Sequence, residues 1–422
     1  MKIQLILALG SALLLTACSA NKTPAPTSGR ISLLQTKEIS ELSDAGVLSL
    51  ASVESCANWH QNNGNADNRP CYTSTELPPQ LLWSVSAGES FSDDTYSLAR
   101  PVVVDGVIYS VDKEQFLFAH NIQTKELLFK IKLTDHETCA VKATGIAVHE
   151  NKIFVALGNG VVTATDKTGK SVWNVSLSDS LRSAPTVSGT LLFIVTTNNR
   201  LYALDTETGK IKWNYKTLES KDVLFGMAQP AVKNNTVVVA FTTGEVSAFD
   251  TQSGLLKWSH MLLSPRVYNS ILDLSHISAS PIIGDNTVYV FNASGKMAAL
   301  RLTDGKMLFT KETGTVHTPI FNGNALFFID THNTLTAINS NNGATFWKTP
   351  LPQLEKETYF LNPVLTQSHI LIVQNTGKMF AYNAQNGLFS FETSGPDTLT
   401  APITVDGSIL FYSNDAELVL YK

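Results

Sequence analysis

From residue 81 onward the chain repeats one pattern of apolar and polar positions. A proline opens a β-branched run that ends in a turn, as in Pro101-Val102-Val103-Val104-Asp105-Gly106 and Pro402-Ile403-Thr404-Val405-Asp406-Gly407. A second apolar run follows, such as Val107-Ile108-Tyr109-Ser110-Val111, and Asp-Gly between two such runs is a strong hairpin signal. The proline removes a hydrogen-bond donor where an innermost, channel-lining strand begins, one of the few places a sheet tolerates it. Downstream lies a segment built as Ala, any residue, Asp or Asn, then a Gly turn and an aromatic. Residues 203–213, from Ala203 through Asp205, Thr208 and Gly209 to Trp213, are the clearest copy. Copies at 164–173, 248–258 and 337–347 also end in Trp, whereas those at 119–129, 299–309 and 381–391 end in Phe. Each repeat therefore predicts four short antiparallel strands. The glycine supplies a positive φ between the third and fourth, and the aromatic of the fourth packs between repeats.

The first alanines of these copies fall at 119, 164, 203, 248, 299, 337 and 381, a spacing of about 40 to 50 residues, which is the length of a propeller blade. Seven units are complete. The C-terminus offers three more strands, at 401–405, 409–413 and 418–421, and then the chain ends. Residues 81–85, Leu-Leu-Trp-Ser-Val, carry the aromatic signature of a fourth strand with no blade of its own. Pairing the two predicts an all-β, eight-bladed β-propeller of four-stranded antiparallel blades, its ring closed by an N-terminal strand so that no blade is left incomplete.

The region before residue 81 reads differently. Met1-Lys2 is a minimal basic start, residues 3–14 are apolar, and Leu15-Thr16-Ala17-Cys18 is a small-residue cleavage site, the layout of a signal peptide over 1–17. The apolar stretch is too short to span a bilayer. Residues 18–80 then form a tether and pre-propeller segment before a propeller domain at 81–422. Pro24 and Pro26 sit in a run short of large apolar groups, which favours extended chain. Apolar residues are denser over 31–53, where a short helix is one expectation.

Composition narrows the class. Of 422 residues 43% are hydrophobic and 16% charged, with net charge -5, which excludes disorder, a polytopic membrane protein and a generic nucleic-acid binder. Besides Cys18 there are Cys56, Cys71 and Cys139. Cys56 and Cys71 flank the polar segment 58–70, where a local disulfide would hold down a stretch with little core of its own, and Cys139 reads as a small buried hydrophobe.

These residues carry a family resemblance. The Ala-x-Asp-x-x-Thr-Gly-x-x-x-Trp unit resembles the tryptophan-docking repeat of quinoprotein-type, PQQ-like propellers. Leu15-Thr16-Ala17-Cys18 resembles a lipobox, which implies a triacylated Cys18, and three acyl chains exceed what stable anchoring needs. Ser19 after the cysteine implies sorting to the outer membrane, with the body on its periplasmic face. The lipobox, the tether, Trp59, Gln61, Gly64 and Asn65, and nothing but propeller afterwards look like the BamB family of outer-membrane-protein assembly lipoproteins, most of all its alphaproteobacterial branch.

That resemblance implies a non-catalytic scaffold of the β-barrel assembly machinery. Its expected partners are BamA, other Bam complex members and unfolded outer-membrane proteins, with the membrane met only through the lipid anchor and no nucleic acid bound. The family's contact loops fall here on Leu224 and Phe225 and on His276 and Ser278. Of the family's leucine, arginine and two acids only the leucine is kept, so apolar and histidine contacts replace charge-assisted ones.

A pyrroloquinoline-quinone dehydrogenase is the alternative from the same repeat. It would need a calcium held by carboxylate and amide oxygens, an aspartate base, and often a disulfide between adjacent cysteines. No two cysteines are adjacent, and there is no Cys-x-x-Cys-His sequence or metal-ligand spacing among the nine histidines. Asp93-Asp94 and Asp135-His136 read as solvated loop charge. No catalytic residue, cofactor or metal is expected. A propeller lipoprotein that binds a glycan or another envelope protein is the third reading.

Overall fold

Runs of Val, Ile and aromatic residues bounded by turn residues form strands because the branched side chains pack on a pleated surface. In the first repeat they are β2 (Val102–Val104), β3 (Val107–Val111), β4 (Phe116–Asn121) and β5 (Leu127–Lys132), hydrogen-bonded in that order from the channel outward. Six more sheets of four follow, from β6 (Ala143–His149) to β29 (Phe389–Ser394). The computed structural model describes residues 44–52, 56–91, 96–134, 141–218, 228–263 and 276–422, and no helix occurs among them. In particular 44–52 lacks helix; the rest of the helix expected across 31–53, with 31–43 and 53, lies outside the described residues.

The eighth blade joins the first and last strands of the propeller. β30 (Ile403–Val405), β31 (Ser408–Tyr412) and β32 (Glu417–Tyr421) pair in order, and β1 (Leu81–Ser86) adds antiparallel to β32, with Trp83 opposite Leu420 and Val85 opposite Leu418. Gln80 and Lys422 exchange main-chain hydrogen bonds beyond the pair, at 2.8 and 2.9 Å. The ring is an eight-bladed β-propeller closed by its N-terminal strand.

The repeat motif has a second cause besides its turn. Each copy's alanine lies opposite the aromatic of the outer strand, Ala203 against Trp213 and Ala248 against Trp258, with a bulge immediately after it. The ring of that aromatic lies on the turn glycine of the next blade. A Cβ on Gly254, whose φ is +70°, would stand 2.6 Å from Trp213 Cδ2. The indole N–H then donates to a carbonyl of that neighbouring blade: Trp173 to Thr206 at 3.0 Å, Trp213 to Thr251 at 2.8 Å, Trp258 to Leu302 at 2.8 Å and Trp347 to Ala384 at 3.2 Å. Alanine, glycine and tryptophan thus recur together because each blade docks on the next. The core is correspondingly divided among clusters between neighbouring blades, such as Phe193 and Val195 with Val237 and Phe249, which lets the chain lengthen without one enlarged centre.

Candidate functional site

The innermost strand of a blade has one unpaired edge, and its N–H and C=O groups need partners. Residues 56–74 supply them. Trp59 and Val103 exchange main-chain hydrogen bonds at 2.6 and 3.0 Å in the first blade. Val148 donates to His60 O, Val187 to Gln61 Oε1, Val232 to Ala66 O and Ile283 to Asp67 O, at 2.8, 2.8, 2.6 and 3.1 Å. Tyr72 then donates to Phe321 O, Ser74 to Gln367 Oε1, and Gly407 to Thr73 Oγ1. One polar segment therefore touches the first hairpin of all eight blades and plugs the channel. Its two ends are joined by a Cys56–Cys71 disulfide, with Cα atoms 5.9 Å apart. Asn68 sits at the centre, 1% exposed, its amide donating to Pro281 O at 2.9 Å.

On one side of this plug a chamber of about 210 Å3 is floored by Asn62 and Asn63. Its wall includes the residue before the inner-strand proline in blade after blade: Arg100, Ala184, Gln229, Ser280, Thr318, Asn362 and Ala401. The Arg100 guanidinium donates to the carbonyls of Ala401, Asn62 and Pro402 at 2.9, 3.1 and 3.0 Å. Burial pulls its pKa down to about 10, which leaves it charged at neutral pH. Arg182 and His317 also line the chamber. Burial lowers the His317 pKa to about 4, against a hydrogen bond with Asn362 that raises it, so the ring is neutral at pH 7. No carboxylate appears among the described lining residues.

The outer rim has a different chemistry. Outer strands open on exposed apolar residues: Leu81 and Leu82, Leu127 and Leu128, Met307 and Leu308, and Phe389 after Leu388. Val172, Ile211 and Leu256 take the same place in three more blades. Among the described residues each of these strands is paired on one side only, so apolar side chains stand beside an open main-chain edge.

Several residues singled out in the sequence fall elsewhere. Cys18, Leu224 and Phe225 lie outside the described residues, as do Cys139, Asp93-Asp94 and Asp135-His136. His276 is not an exposed rim residue: it is 1% exposed, and its carbonyl accepts from Ala293 N at 2.9 Å. It lies six residues before the inner strand of its blade, Ile282–Ile283, and is followed by buried Ile277. Ser278 is half-buried on the chamber wall, and its hydroxyl donates to Val316 O at 3.3 Å. The sequence does not single out the chamber residues, although the position before a repeat's proline marks seven of them, Arg100 and Gln229 included.

The tryptophan-docked repeats, eight blades and plugged channel define a quinoprotein-type propeller. The family described as outer membrane protein assembly factor BamB matches residues 134–349, half of the chain, and the chain belongs to that family. The Yersinia pestis outer membrane protein assembly factor BamB is 23% identical over 391 residues, covering 89% of this chain and 97% of that protein. The crystal structure of BamB from Moraxella catarrhalis superposes with a TM-score of 0.70 at 19% identity, covering 82% of this chain and 99% of that one. Quinohemoprotein alcohol dehydrogenase from Comamonas testosteroni shares the fold with a TM-score of 0.67 at 14% identity, over 86% of this chain and 80% of that one. A quinone held beside calcium requires carboxylate oxygens. The chamber's described wall offers guanidinium, imidazole, amide and hydroxyl groups instead. Among the described residues no three Asp, Glu, His or Cys side chains converge either. The described donor set does not fit that cofactor.

Proposed function

We propose that this protein is a non-catalytic scaffold of the β-barrel assembly machinery, held at the periplasmic face of the outer membrane by lipid on Cys18. The observation that carries the reading is the apolar belt on the outer strands. A half-paired strand bearing exposed Leu128 or Phe389 offers an extended polypeptide both a main-chain ladder and side-chain burial, the physics of strand addition. An unfolded outer-membrane protein, whose strands alternate apolar and polar residues, is a fitting client. Docking on BamA is assigned to Leu224 and Phe225 together with Ser278, while His276, 1% exposed, serves as a packing residue. The family match and the BamB relatives support this over a dehydrogenase, as does a chamber wall without described carboxylates.

Photocrosslinkers placed at Leu128 and at Phe225 in intact cells test both halves. Adducts with newly exported outer-membrane proteins are expected from position 128, and an adduct with BamA from position 225. Adducts with neither, in cells whose outer-membrane proteins assemble normally, would remove the assignment.

A further inference from the structure

The chamber above the plug is built for something other than packing. Arg100 is 6% exposed and spends three of its five N–H groups on main-chain carbonyls, none on a carboxylate. Arg182 has no ion-pair or hydrogen-bond partner among the described residues, although it lines the same chamber. Gln229 is 2% exposed, and neither its amide nitrogen nor its amide oxygen has a hydrogen-bond partner. A buried amide left this way ordinarily costs about 1–3 kcal/mol. Two arginines and an unsatisfied amide surround a cavity of about 210 Å3, and among the described residues no carboxylate lines it, so its described wall is positively charged.

We propose that this chamber binds a small oxyanion, a carboxylate or phosphate head group entering from the end opposite the plug. A guanidinium presents paired N–H groups that match two oxygens of either head group. Arg182 is the group free to swing onto such an anion, Gln229 supplies an amide N–H, and Arg100 contributes charge from the wall. His317, neutral at pH 7, can donate or accept without adding charge. The proposal stands apart from the scaffold role, since it concerns the inside of the ring.

The test is isothermal titration calorimetry on the full mature chain, with sodium succinate and sodium phosphate as separate titrants and sodium chloride holding ionic strength constant. Saturable one-to-one binding of succinate, weakened at least tenfold by Arg182→Gln, identifies a carboxylate ligand; the same result with phosphate identifies a phosphate ligand. Arg182→Gln should fold as wild type because the residue makes no described internal bond. Gln229→Leu, which keeps both charges, should also weaken binding and serves alone if the arginine variant fails to fold. No saturable binding of either anion, or binding insensitive to both substitutions, overturns the proposal.

Discussion

The contact between one blade's tryptophan and the next blade's glycine can be tested as a coupled pair. Gly254→Ala places a Cβ 2.6 Å from Trp213 Cδ2 and 2.8 Å from Cγ, at a φ of +70°. The left-handed backbone alone costs an alanine about 1–2 kcal/mol, and overpacking against the indole adds about 1–3 kcal/mol. Trp213→Ala removes a half-buried indole and its 2.8 Å bond to Thr251 O, a loss of about 3 kcal/mol. In the double variant the indole is gone, so only the backbone part of the glycine penalty should survive. The two substitutions together should then cost about 1–3 kcal/mol less than their sum. Urea unfolding followed by tryptophan fluorescence and circular dichroism on the four proteins measures this directly. Additivity within about 0.5 kcal/mol would refute the docking account and leave the glycine as a turn residue only.

Mass spectrometry of the mature protein should find a triacylated Cys18 as its first residue, and Cys18→Ala should release the chain from the membrane; an unmodified start elsewhere contradicts the anchor. Deleting residues 19–43 should leave the melting temperature within a few degrees, whereas deletion through Val85 removes the partner of β32 together with Trp83, 8% exposed, and should cause aggregation or a large loss of stability. Reducing the Cys56–Cys71 bridge, which spans 15 residues, should destabilise the ring by about 3 kcal/mol by freeing its unfolded chain, an effect absent in Cys56→Ser. The folded-state pKa of His317, about 4, lies below its ordinary 6.5, so the unfolded chain takes up the proton first. Its contribution is present above pH 6.5 and is lost as pH falls towards 4. His317→Gln should flatten the acid limb of stability against pH in that window, and an unchanged slope would contradict the buried, neutral ring.

Period-2 alternation, Asp-Gly turns and the recurring alanine, glycine and aromatic describe interactions within a blade or between adjacent blades. Such contacts recur at fixed spacing, so the strands, the eight blades and the pairing of Leu81–Ser86 with the C-terminal strand are legible along the chain. Residues 56–74 have no such period. Their partners lie far away in sequence, Gln61 with Val187, Asn68 with Pro281 and Ser74 with Gln367, so Trp59, Gln61, Gly64 and Asn65 carry a family resemblance in the sequence but no sign of a plug. The burial of His276 was equally hidden, because what covers a connecting segment is decided by the blades around it. Arg100, Arg182, Gln229 and His317 come from different blades and share no motif chemistry. The linear order of residues dictates how each blade folds and docks on the next. Only closure of the ring brings eight inner edges round one axis, where a polar segment can satisfy them and distant side chains can share a chamber.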